Sequence, residues 1–149
     1  MERKYTLFWS IMLVLTLITA GCKKDSKKPV SERIAKTWTA ETVKHGTVVV
    51  YTRGGASNNE ARYSDFRLAL SSTGTVAYTE FDKNTFNGTW ALEGETTLVL
   101  SGLNPQPSGS NGTIKFTINS LEDNKVVLTR LDGSLKTGNT INQYTLSNP

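Results

Sequence analysis

Histidine and cysteine each occur once in the 149 residues, as His45 and Cys22. An intramolecular disulfide is therefore excluded, and so is a metal centre built from several His and Cys ligands. A Ser-His-Asp triad would have to form around His45, which stands beside Gly46 where an exposed hairpin histidine is expected. Gly-x-Ser-x-Gly, Gly-x-x-x-x-Gly-Lys and the Asp-rich calcium loop are all missing, which removes the usual nucleophile elbow, phosphate cradle and EF-hand. Paired acids occur at Glu80/Asp82 and Glu93/Glu95. Each pair brackets a turn, so they read as solvated turn acids and not as a glycosidase dyad across a cleft. After residue 37 no stretch spaces apolar residues at i, i+3, i+4 and i+7 over three turns, which leaves no packed helix. The expectation is a protein that is not an enzyme and carries no metal or cofactor.

One long uncharged run is present. Tyr5 to Ala20, YTLFWSIMLVLTLITA, follows the basic start Met1-Glu2-Arg3-Lys4, and the small residues Thr19-Ala20-Gly21 precede Cys22. A basic start, an apolar middle and a small-residue exit mark a secretory signal peptide. As a helix at about 1.5 Å per residue the run reaches about 24 Å, short of the roughly 30 Å hydrocarbon core. The junction Ile18-Thr19-Ala20-Gly21-Cys22 resembles the lipobox of bacterial lipoproteins. That resemblance implies cleavage after Gly21 and lipid on the Cys22 thiol. The chain then divides into a signal peptide over 1–21, a flexible tether over 22–30 and a folded domain over 31–149. A doubly acylated protein stays on its membrane. The expected location is the cell envelope. Lys23 stands where an aspartate would favour inner-membrane retention, which points to the outer membrane.

The net charge of +4 is unevenly placed. Residues 22–36 hold six Lys or Arg against two acids, whereas 37–149 hold nine against ten. A nearly neutral domain lacks the basic face that nucleic-acid binding needs. Tether lysines near an anionic lipid surface add about 1 kcal/mol of attraction each.

The domain itself is written in period two. Ser31 to Lys36 suits a single helical turn, capped by Ser31, with Ile34 and Ala35 turned to the sheet. Strands follow over 37–45, 48–53, 64–71, 75–81, 85–93, 96–101, 112–121, 125–131 and 141–146. Phe66, Leu68 and Leu70 share one face, as do Val76 and Tyr78, then Phe86, Gly88, Trp90 and Leu92, then Leu98 and Leu100. Ile114, Phe116 and Ile118 alternate with Lys115, Thr117 and Asn119, and Val126 alternates with Val127 before Leu128. Such alternation buries one face of each strand, and short links make neighbours antiparallel. Eight or nine short strands escape bare edges by closing, so the fold is all-β, an antiparallel up-and-down barrel. Two longer links, 54–63 and 102–111, break the rhythm, the second carrying Pro105 and Pro107.

Lys36-Thr37-Trp38 entering the first strand, Phe66 with Gly74-Thr75-Val76, Asn87-Gly88-Thr89-Trp90-Ala91-Leu92, and Ile118-Asn119-Ser120-Leu121 with Val126-Val127-Leu128-Thr129 resemble the lipocalin-like lipoproteins common in Bacteroidetes. The resemblance spans about residues 31–131. It implies an antiparallel barrel near a lipid anchor, with no agreed enzymatic role. Trp38 would then lie across the bottom of the barrel and Trp90 further along its interior. Trp38, Phe66, Leu68, Tyr78, Trp90, Leu98 and Phe116 either pack as core or line a ligand cavity, since an eight-stranded barrel is just wide enough for either.

Two functions follow. In one, a cell-envelope module with no catalytic residue holds a small apolar or glycan-like molecule in or at the mouth of the barrel. In the other, the core is solid and a structural, protein-interaction or inhibitor lipoprotein acts through loops 54–63 and 102–111 on an envelope protein. A connected apolar cavity of about 300 Å³ or more favours the first, and a filled core with exposed apolar loop residues favours the second.

Overall fold

A computed structural model describes residues 27–148. The signal peptide expected over 1–21 and the lipidation expected at Cys22 lie outside the described residues. A short helix α1 (Val30–Ile34) precedes nine strands: β1 (Thr37–His45), β2 (Val48–Thr52), β3 (Arg67–Leu70), β4 (Thr75–Thr79), β5 (Thr85–Glu93), β6 (Thr97–Asn104), β7 (Ile114–Leu121), β8 (Lys125–Arg130) and β9 (Asn142–Ser147). Their order is β2-β1-β3-β4-β5-β6-β7-β8-β9, with β9 returning to pair with β1, and every pairing is antiparallel. Eight strands thus close into a barrel, and β2 is an extra strand outside the ring.

The geometry of β1 explains why β2 is left out. Gly46, at φ +58°, turns β1 back into β2, which pairs with Thr42 to His45. On that same edge β3 pairs with Thr37 to Thr39. β1 therefore changes neighbour halfway, which frees the Ala40 carbonyl from the ladder. Arg53 fills the seam: Nε and Nη2 donate to Ala40 O at 3.0 and 2.6 Å, and Nη1 donates to Ser147 Oγ at 3.0 Å. The far edge of β2 is blunted by the chain that follows it. Asn58 Oδ1 accepts Thr52 N at 2.8 Å, Asn58 Nδ2 donates to Thr52 O at 3.1 Å, and Glu60 N donates to Val50 O at 3.0 Å. With a closed ring, a covered edge and a single core running from Ile34 to Leu146, residues 27–148 hold what a folding unit requires.

One end of the barrel is sealed by α1. The helix starts at Val30 behind Pro29, with no side-chain cap, so Ser31 sits inside the first turn and not at its boundary. Ile34 is fully buried, and the Trp38 indole N–H donates to Ile34 O at 2.8 Å. Trp38 thereby closes the bottom and satisfies a helix-end carbonyl with one side chain. Burying about 200 Å² of indole at about 25 cal/mol per Å² gives an upper bound of about 5 kcal/mol.

Two segments depart from the expected strands. Residues 64 and 65 are not strand: a 3-10 turn, Ala61–Asp65, precedes β3, and Glu60 clamps it through Arg62 N and a two-pronged bond to the Arg62 guanidinium at 2.8 and 2.7 Å. β6 runs past 101 to Asn104, because a bulge opposite Gly88 lets it bend instead of stopping. A Cβ on Gly88 would stand 2.4 Å from Ser101 O, so only glycine admits the bulge. The bend carries Leu103 into the core, out of what reads as a connector.

Candidate functional site

Inward positions on four strand edges place four rings in one layer across the barrel. Phe66 stacks on Tyr144 at 5.1 Å and meets Tyr78 edge-on at 5.7 Å. Phe116 completes the circuit, 6.4 Å from Tyr78 and 6.1 Å from Tyr144, both edge-on. These separations and tilts are the favourable aromatic geometries, and the layer fills the cross-section with side chains. Below it, towards Trp38, the core is aliphatic: Leu68, Leu98, Leu100 and Leu128 are buried.

Above the ring, towards the end opposite α1, the interior turns polar. Glu80, one residue past the end of β4, continues the inward line of Val76 and Tyr78, and Arg130 follows Val126 and Leu128 on the inward face of β8. Both are buried, with Arg130 Nη1 4.0 Å from Glu80 Oε1. Lys136, from a 3-10 turn at Leu135–Thr137, touches Glu80 Oε2 and donates to Asp82 Oδ2 at 2.7 Å. Glu80 Oε2 has no well-angled hydrogen bond, but the adjacent ammonium compensates its charge, so Glu80 is a paired acid. Its other oxygen accepts from the Tyr78 hydroxyl at 3.3 Å. Burial opposes the charge on Lys136, yet its bonds to Asp82 and Glu80 outweigh this and raise its pKa. Burial likewise works against Asp82, and its bonds to Lys136 and Asn84 win, lowering its pKa.

Tyr63 covers this polar layer. Its ring lies 4.9 Å from Phe81, 6.1 Å from Tyr51 and 6.3 Å from Tyr144. Its hydroxyl meets His45 Nε2 at 2.7 Å. His45 is consequently half-buried at the mouth, not the exposed hairpin residue its neighbours suggest, and burial lowers its pKa. Burial also raises the pKa of Tyr63, Tyr78 and Tyr144, so all three hydroxyls stay protonated. Asn142 donates to Tyr144 OH at 3.3 Å and accepts from Thr140 Oγ1 at 2.7 Å, tying the 131–141 loop to the ring.

Of the residues expected as core or ligand lining, Trp38, Phe66, Leu68, Tyr78, Leu98 and Phe116 are brought together and buried in one cluster. Trp90 is not deep inside. It is half-buried at the bottom rim, its indole N–H on Ser71 O at 2.9 Å, beside an open recess of about 430 Å³ shared with Ser31, Glu32, Ala35 and Ser72. The other recesses described among residues 27–148 also open on the outside of the barrel.

The sequence reading missed Glu80, Arg130 and Tyr63. Glu80 belongs to the pair read as solvated turn acids, and its burial corrects that reading. The signal was present: Val76, Tyr78 and Glu80 share one period-two face, as do Val126, Leu128 and Arg130. Tyr63 lies in a segment read as connector and had no such periodicity to reveal it. Among the described residues no three His, Cys, Asp or Glu side chains gather as metal ligands.

No family model matches the chain, and no curated protein matches it. It is similar to two solved structures. One is an uncharacterized protein from Bacteroides eggerthii, at 12% identity and TM-score 0.49, covering 77% of this chain and 98% of that one. The other is a lipocalin-like protein from Bacteroides uniformis, at 13% identity and TM-score 0.47, covering 78% of this chain and 99% of that one.

Proposed function

We propose that this chain is a cell-envelope lipoprotein without catalytic activity, tethered through Cys22, which acts by protein contact through the mouth end of a filled barrel. The carrying observation is the closed ring of Phe66, Tyr78, Phe116 and Tyr144, which occupies the cross-section where a small apolar ligand would lie. The polarity of the barrel supports the reading. Residues 27–29 enter α1 at the bottom, so a tether at Cys22 turns that end to the membrane. The loops at 80–84, 105–113 and 131–141 leave the other end, and the 53–66 segment, which starts at the Arg53 seam, climbs to that end at Tyr63. The large apolar side chains that stay exposed, Val48, Val49, Leu131, Leu135 and Ile141, belong to that end too. Exposed apolar groups gathered at one end of a barrel are a common mark of a contact surface.

A photo-crosslinking residue at Val49 or Leu135, compared with one at Ser72 on the bottom, tests the reading in cells. Adducts to a defined envelope protein from the mouth positions alone support it. Equal adducts from both ends, or none from the mouth, would overturn it.

A further inference from the structure

Where β2 and β3 part company on the edge of β1, the outer wall of the barrel carries a recess of about 310 Å³. It is lined by Thr39, Ala40, Tyr51, Arg53, Ser64 and Arg67. Two guanidinium side chains meet there. Arg67 stands opposite Thr39 in the β1–β3 register, and Arg53 Nη2 donates to the Thr39 hydroxyl, so one threonine locates both. Each arginine is pinned by neutral groups. Arg53 donates to Ala40 O, Thr39 Oγ1 and Ser147 Oγ, and Arg67 Nη1 donates to Ser64 O and Phe66 O at 3.0 and 2.8 Å. One Nη1 proton of Arg53 and the Nε and Nη2 protons of Arg67 are left without a partner among the described residues.

Neither charge has an acid. No carboxylate lines the recess, and the acids nearest along the chain are engaged elsewhere: Glu41 with Lys125 at 3.2 Å, Glu60 with Arg62 at 2.7 Å and Asp65 with Lys83 at 3.9 Å. Carbonyls and hydroxyls solvate a guanidinium without cancelling its charge, so the two like charges repel. Arginines already fixed in place also lose little freedom on binding, which preorganises them for an anion. Charge and shape restrict that anion. A carboxylate brings one charge and one edge, enough for one fork. The phosphate of a monoester is a dianion near neutral pH and offers three oxygens, enough for both forks. The recess opens sideways, between Thr39 beside the bottom-closing Trp38 and Ser64 beside the mouth-covering Tyr63, so a membrane beneath α1 does not face it. We propose that Arg53 and Arg67 bind the phosphate of a small soluble phosphomonoester in the seam between β2 and β3. The choice of a soluble source rests on the tether at Cys22; the charge argument stands without it, and neither depends on the mouth-end contact surface.

The test uses the ¹⁵N-labelled chain from residue 23, with sodium phosphate, glycerol 3-phosphate and sodium acetate as probes at one fixed ionic strength. The Arg67 Nε–H resonance, identified by its loss in Arg67→Gln, shifts saturably with both phosphates and far less with acetate. Arg67→Gln, an exposed change, weakens glycerol 3-phosphate binding about ten- to a hundredfold, as expected for bonds to a charged group. Lys115→Gln removes the same charge on the opposite wall, at β7, and leaves that binding unchanged. An Arg67 resonance unmoved by phosphate overturns the proposal. So does acetate binding as tight as phosphate binding, or parent-like affinity in Arg67→Gln. Sedimentation of the parent with phosphatidic acid vesicles, lost in Arg67→Gln, would give the site to a lipid headgroup and overturn the soluble source. Mouth-end crosslinks do not depend on Arg67, so either idea can fail alone.

Discussion

Arg130 and Glu80 face each other across the barrel with Nη1 and Oε1 4.0 Å apart, yet only Glu80 is held by other groups. They sit at the ends of β8 and β4, so an ionic layer caps an otherwise apolar interior.

That asymmetry predicts unequal substitutions. Glu80→Ala leaves the buried Arg130 without a facing acid and Lys136 with Asp82 alone, and should cost about 3–5 kcal/mol in urea unfolding. Arg130→Met keeps the bulk, leaves Glu80 on Lys136, and should be neutral or stabilising, within about 1 kcal/mol. Equal losses in the two variants would show that the 4.0 Å approach is a working ion pair.

Tyr63 combines a ring that fills space with a hydroxyl that ties it to His45. Tyr63→Phe should lose about 1 kcal/mol, the worth of one hydrogen bond. Tyr63→Ala should lose about 3–5 kcal/mol, as large-to-small core changes do. The same variant should acquire saturable binding of an apolar fluorescent dye that the parent lacks; a parent that binds the dye equally well would contradict a filled barrel.

His45 makes stability depend on pH. Burial lowers its folded pKa below the ordinary 6.5, so the unfolded chain binds more protons at mildly acid pH. The His45 contribution is fully present above pH 6.5 and is lost as pH falls through the depressed folded value. Thermal unfolding between pH 7.5 and 5 should show this slope, and His45→Asn should flatten it. An unchanged slope in that variant would assign the effect to other groups.

Gly88→Ala drives a Cβ to 2.4 Å from Ser101 O, a backbone atom with little freedom to retreat. The β5–β6 bulge must open, and a loss of about 1–3 kcal/mol is expected, with Leu103 amide protons exchanging faster. Parent-like exchange would mean that the bulge tolerates a side chain.

Cys22→Ser should abolish incorporation of labelled palmitate and move the protein from the membrane to the soluble fraction of lysed cells. Retention on the membrane would require an anchor other than lipid on this residue.

The barrel was largely legible in the residues, and the reason is local. Alternation at Phe66, Leu68, Leu70 or at Ile114, Phe116 assigns a buried face without reference to any other strand. The same rule names Glu80 and Arg130 as inward, but charge at a strand end ordinarily signals solvent, and that expectation prevailed. β2 was legible as a strand but not as an outsider. Its exclusion depends on where β3 meets β1, a pairing of Arg67 to Ala69 with Thr37 to Thr39 that no feature of the hairpin itself encodes.

The order of residues by itself determined that this domain is a sheet with one buried face, because a side-chain period of two is a property of each strand alone. Closure onto β1, the covering of the mouth by Tyr63 and the meeting of Arg130 with Glu80 were decided only by the tertiary structure. Those contacts join positions far apart in the chain, and no local pattern encodes which distant group a side chain will find when the ring closes.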